Sequence, residues 1–246
     1  MRYHLDTIPV WDAFKQDEYC PFCSLFRKRE VIHVDRTLGG AVMEPDIRIR
    51  VNEQGFCPEH HRQLYALQNR LGHALIMESH LEVLTEKAER ILASGGSKGG
   101  FFKKDDKPKA SQQLMQLTGS CIICDSIRND MAQYAYTAAL LFEKDAEFRQ
   151  AFENAHLCLE HVALLTQAGE EHLSSAARGR FFEALLKMLR RDSEKLQKDI
   201  SAFAKSFDYR NAANTDVPKA ALEKAVNFSR TRCLGSDPAN EKNKRN

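Results

Sequence analysis

The chain has almost no net charge: 36 Lys and Arg against 34 Asp and Glu leave +2. No global field therefore draws it to nucleic acid or anionic lipid, and a nucleic-acid partner is not expected. It also lacks the ~18 uninterrupted apolar residues of a membrane span. The opening MRYHLDTIPVWDAFKQDEYC has no apolar run behind basic residues, so no export signal is read there. The expectation is a soluble, cytoplasmic protein with no membrane partner. Alternating strand pattern is scarce, with Asp46-Ile-Arg-Ile-Arg-Val51 as the one segment open to a short strand. The phosphate-loop pattern is missing too: Ser94-Gly-Gly-Ser-Lys-Gly-Gly100 is glycine-rich but has no Gly-x4-Gly-Lys-Ser/Thr and no strand before it.

What the chain does have is cysteine, seven in all, six of them in a duplicated pattern. Cys20-x2-Cys23 and Cys57-x2-His60 recur as Cys121-x2-Cys124 and Cys158-x2-His161, each position displaced by 101 residues. Arg27 with Arg128, Glu59 with Glu160 and Leu64 with Leu165 keep the same offset, so the chain reads as two tandem copies of one unit. The expected organisation is a first repeat over 1–94, a flexible linker over 95–112, a second repeat over 113–208 and a partly disordered tail over 209–246. The odd Cys233 and the basic run Glu241–Asn246 fall in that tail and read as an incidental thiol and a solvated end.

Elsewhere the apolar period is helical. Leu64, Leu67, Leu71, Leu75, Leu81, Leu84, Ala88 and Ile91 predict one long amphipathic helix ending at Gly95, and Phe182 to Phe207 predicts its counterpart. Short helices are expected over Asp46–Glu53 and Asp145–Asn154, the first stopped by Gly55 in a left-handed conformation that His156 adopts at some cost in the second copy. The fold class is all-α.

Cysteine pairs and Cys-x2-His pairs are ligand sets for a metal. Together they supply Cys3His, a closed tetrahedral donor set that suits zinc. Two zinc ions are expected, one per copy, each pinning the first helix of a copy to the start of its long helix. The ligands are Cys20, Cys23, Cys57, His60, Cys121, Cys124, Cys158 and His161. His60 is preferred over His61 because Val162 stands opposite His61 in the second copy. His156 is a minor candidate for an extra ligand. His33, His73, His80 and His172 have no duplicate. A closed site has no open position for catalytic water, so Glu59 and Glu160 read as first-turn dipole partners, not bases. Cysteine-rich sets also hold iron–sulfur clusters or act as redox dithiols, and that remains the alternative.

The run Met43-Glu-Pro-Asp-Ile-Arg-Ile-Arg-Val-Asn-Glu-Gln-Gly-Phe-Cys-Pro-Glu-His60, with Gln68-Asn-Arg-Leu-Gly-His-Ala-Leu75, resembles an uncharacterised bacterial family found largely in anaerobes. Cys121-Ile-Ile-Cys124, Leu157-Cys-Leu-Glu-His161 and Phe207-Asp-Tyr-Arg-Asn211 resemble its later motifs. The resemblance covers roughly residues 15 to 230. It implies a cytoplasmic helical protein with paired cysteine–histidine sites, and no activity. The expected function is a non-enzymatic metal-binding module that engages a protein partner.

Overall fold

A computed structural model describes residues 3–16, 19–95, 108–208 and 218–229. Within them the chain is helical, with no strand. The helices are α1 (Tyr3–Lys15), α2 (Pro21–Leu38), α3 (Pro45–Gln54), α4 (Pro58–Ala66), α5 (Arg70–Gly95), α6 (Ala110–Leu117), α7 (Ile122–Lys144), α8 (Ala146–Asn154), α9 (Leu159–His172), α10 (Ser175–Lys205) and α11 (Ala221–Ser229), with a 3-10 turn at Gly40–Met43. They divide into two units: Met1–Arg27 with Asp130–Asn246, and Lys28–Asn129. The chain path exchanges between them, because α2 starts in the first unit and ends in the second, and α7 does the reverse.

The first unit is built on an aromatic core. Phe22, Phe142, Phe148, Phe152 and Phe181 are fully buried. Phe142 meets Phe181 at 5.0 Å and Phe152 at 5.2 Å, and Trp11 and Phe14 of α1 reach Phe148 at 5.1 and 4.9 Å. Edge-to-face pairs of this kind add about 0.5–1.5 kcal/mol each beyond area burial. Gly169 lets α9 approach α10 closely, since a Cβ there would stand 2.9 Å from the Phe181 ring. Helix α11 packs on α9 and α10 through buried Ala221 and Asn227, so an ordered helix lies within the stretch read as tail.

In the second unit α3 packs on α5. Arg48 donates to the Leu75 carbonyl at 2.7 Å and to Ser79 Oγ at 2.8 Å, and Ser79 donates to Asn52 Oδ1 at 3.0 Å. Val51, Phe56, Leu64 and Ile76 are its buried apolar residues near the turn into α4.

Of three local expectations, one is corrected. The short helix expected over Asp46–Glu53 is present as α3, where Pro45 fixes the first helical residue. The long helix predicted from Leu64 to Ile91 is two helices, broken where Gln68 takes φ +61° and Asn69 restarts the chain by accepting from Gly72 N–H at 3.0 Å. The counterpart expected over Phe182 to Phe207 lies in α10, capped by Ser174, whose hydroxyl accepts from Ala177 N–H. Apolar periodicity continues across the break at Gln68, so it could not report it. Residues 96–107 of the expected linker, together with Cys233 and Glu241–Asn246, lie outside the described residues, and 110–112 open α6.

Candidate metal centres

Four ligand pairs occupy the same local position. Cys20, Cys57, Cys121 and Cys158 each stand immediately before a helix, and Cys23, His60, Cys124 and His161 are the third residues of α2, α4, α7 and α9. The residue capping a helix and the third residue inside it bring their side chains together, which is the geometry of a capping box. The x2 spacing therefore delivers two donor atoms to one point. The same point sees the positive end of the helix dipole, which favours thiolate over thiol.

The pairs assemble across the repeats. One group is Cys20, Cys23, Cys158 and His161; the other is Cys57, His60, Cys121 and Cys124; in each, the ligand atoms lie within 4.8 Å of one another. The expected closure of Cys20/Cys23 on Cys57/His60, and of Cys121/Cys124 on Cys158/His161, is thus corrected. Helix α2 is the reason: Cys20 and Cys23 stand at its start in the first unit, and it continues into the second, where Cys57 follows α3. There it meets the start of α7, where Ile122 N–H donates to the Gly55 carbonyl at 3.1 Å and Ser120 Oγ to the Gln54 carbonyl at 2.7 Å.

Both groups are tight. In the first unit His161 Nδ1 lies 3.5 Å from Cys20 Sγ, 3.5 Å from Cys23 Sγ and 3.1 Å from Cys158 Sγ, and Cys23 and Cys158 sulfurs are 3.8 Å apart. In the second, His60 Nδ1 lies 3.2, 3.3 and 3.4 Å from the sulfurs of Cys57, Cys121 and Cys124, and Cys57 and Cys124 sulfurs are 3.8 Å apart. All four donors of the first group are buried; in the second, Cys57 and Cys124 are half-buried. Among the described residues the six cysteines form no disulfide. These two groups could hold metal ions.

Their titration shows how strongly the donors interact. Burial pulls the His60 imidazole down, but Cys121, Glu30 and Cys57 outweigh it and hold it at about 10. Burial raises Cys121, yet the His60 ring and the N–H groups of Cys124 and Cys57 bring it to about 6. Cys124 is pushed up to about 12 by burial and by the neighbouring Cys121 sulfur. In the first unit burial lowers His161, and Cys158 and Cys20 overcome this to raise it to about 10. Cys158 is lowered by hydrogen bonds from Cys20 and Cys23, against burial. Both groups thus favour an imidazolium beside thiolate, the arrangement a divalent cation replaces.

The turns before the two Cys-x2-His pairs differ. Gly55 takes φ +62°, ψ −153°, a region essentially restricted to glycine, and a Cβ there would stand 2.8 Å from His80. This is not the left-handed helical stop expected, and His156 at the equivalent place has no positive φ. His156 is not a ligand. Its Nδ1 lies 2.9 Å from Asp192 Oδ1, and its ring stacks on Tyr19 at 5.7 Å. Asp192, only 3 % exposed, also accepts from Arg191 Nε at 2.8 Å, and Arg191 caps α8 through the Glu153 and Ala155 carbonyls. Tyr19 and Ser120 are equivalent positions, and each ties the segment before a Cys-x2-Cys to the turn before a Cys-x2-His.

Other sequence candidates fall elsewhere. His61 packs on Phe56 and His73, 5.3 and 6.2 Å away. His80 Nδ1 lies 3.2 Å from the Asn52 carbonyl, and His172 rests on Tyr136 at 4.4 Å. Glu59 pairs with Arg62 at 2.7 Å on the surface of α4. Glu30 carried no sequence signal, because the repeat places Met131 opposite it. Yet its Oε1 lies 3.3 Å from Nε2 of His60.

Among the described residues no helix is long and apolar enough to cross a membrane. No curated protein and no solved structure matches the chain. A family of unknown function does match, over residues 1–235 of the 246. The chain is a member of that family, DUF6062.

Proposed function

We propose that Cys20, Cys23, Cys158 and His161 hold one zinc ion and Cys57, His60, Cys121 and Cys124 a second, in a non-enzymatic, cytoplasmic helical module that serves as a scaffold for a protein partner. One observation carries the reading. Around a single tetrahedral ion, Zn–S near ~2.3 Å and Zn–N near ~2.05 Å require S–S edges of about 3.8 Å and S–N edges of about 3.5 Å. One sulfur–sulfur edge in each group, Cys23–Cys158 and Cys57–Cys124, spans 3.8 Å, and the six sulfur–nitrogen separations run from 3.1 to 3.5 Å. A multi-iron cluster would hold its thiolates further apart, because several iron and sulfide atoms stand between them. With four protein donors the site is closed, and three thiolates on a divalent ion leave about −1, matched by two helix N-termini per group.

The duplicated sequence pattern supports two tandem helical repeats over 1–94 and 113–208, each lending its Cys-x2-Cys to the other's Cys-x2-His. Elemental analysis of protein purified with and without air is the test. Two zinc ions per chain are expected, with loss of cooperative unfolding on chelation. Metal-free protein, or iron with absorption near ~400 nm, overturns the reading.

A further inference from the structure

The two groups are not equivalent. Among the described residues two carboxylates are buried, Asp192 and Glu30. Asp192 is committed to His156 and Arg191. Glu30, 6 % exposed on α2, has Oε1 3.3 Å from Nε2 of His60, an ion-pair approach, while Nδ1 of the same ring faces the three thiols. Burying a carboxylate costs several kcal/mol unless partners offset it, and the fully buried His60 imidazole is one such partner. Metal-bound histidines commonly donate their second ring N–H to such a carboxylate. In the first unit the equivalent of Glu30 is Met131, itself buried, and His161 lies against the Phe22 ring at 5.6 Å. Exposure runs the other way: the group that has the carboxylate is the one whose Cys57 and Cys124 are half-buried.

We propose that Glu30 is the positioning residue of the Cys57/His60/Cys121/Cys124 site, holding His60 with its proton on Nε2 so that Nδ1 is the ligand atom. The inference rests on the zinc reading. In the buried first site His161 lies against the Phe22 ring, whereas in the half-open second site the charge of Glu30 orients the ring and raises its basicity as a donor. The two ions should then be released by different determinants.

The test uses the full chain loaded with two zinc ions and titrated with a competing chelator. Glu30→Met, which copies the first site, should weaken one of the two equivalents by about 10–100-fold and leave the other unchanged. Glu30→Gln, which keeps an acceptor oxygen without the charge, should fall between it and wild type. Histidine 15N spectra of the wild-type, zinc-loaded protein should show a deshielded Nε2–H on His60 and metal at Nδ1, a readout that does not depend on any variant folding. Two equivalents titrating in Glu30→Met as in wild type, both weakening together, or no proton on His60 Nε2 each overturn the role of Glu30 while leaving zinc binding intact. Wild-type protein without zinc overturns the zinc reading and this role together.

Discussion

Replacing Cys20 and Cys158 together by serine should remove one of two bound zinc ions, whereas replacing Cys20 and Cys57 together should remove both. The first pair belongs to one group of donors and the second pair to two groups, so the count of metal reads the pairing directly. Each lost ion has a stability cost set by mass action, about 4 kcal/mol where free zinc stood 1,000-fold above its dissociation constant. At ~2–4 °C per kcal/mol for a chain of this size, that is roughly 8–16 °C in the melting of the unit concerned. The groups lie in different units, so Cys20→Ser and Cys57→Ser should add, while Cys20→Ser and Cys158→Ser should not. Zinc counted after dialysis against a weak chelator, with thermal melts of the same samples, is the assay. The reverse pattern, one ion left by Cys20/Cys57 and none by Cys20/Cys158, would return each pair to its own repeat and refute the exchange.

Gly55→Ala should destabilise the second unit by about 1–3 kcal/mol, because the backbone is confined to glycine's region and a Cβ would meet His80 at 2.8 Å; urea unfolding with wild-type stability would show the turn to be different. Asp192→Asn should cost about 1–3 kcal/mol near neutral pH by weakening the buried bonds to His156 and Arg191. Burial pushes the Asp192 carboxyl up, but His156 and Arg191 more than offset it and hold it below its usual 3.8. A depressed acid contributes stability above its unfolded pKa and loses it as pH falls through the folded one. The gap between wild type and Asp192→Asn should therefore narrow in acid, and a gap independent of pH would contradict the assignment.

The fold class and the eight cysteine and histidine residues that gather in two groups were legible because they rest on local rules. Helical period marks the elements, and a cysteine before a helix with a second donor three residues on is a local geometry that sequence spacing reports. The pairing was not legible, because it depends on α2 carrying the chain from the first unit into the second, and helix ends were the part of the pattern that periodicity blurred. The break at Gln68 is an example, since Leu67 and Leu71 keep the apolar period across it. Glu30 and Asp192 were invisible for another reason. Each stands opposite an apolar residue in the other repeat, Met131 and Ile91, so the comparison that selected His60 over His61 discards them. What differs between copies carries the carboxylate behind His60.

The exchange also changes what the joining segment is for. If α2 always separates a Cys-x2-Cys from the Cys-x2-His of its own repeat, one repeat presents two half-sites that it cannot close upon itself. Two copies exchanging donors are then the smallest arrangement in which every donor is used, as in a two-fold pair where each partner completes the other. A protease site placed after Gly100 would divide the chain into one fragment with Cys20, Cys23, Cys57 and His60 and another with Cys121, Cys124, Cys158 and His161. Both ions would still bridge the fragments, because each group takes two donors from either side of the cut. The cleaved protein should run on gel filtration as a single species with two zinc ions. Fragments that separate with one zinc each would mean that each repeat closes its own site.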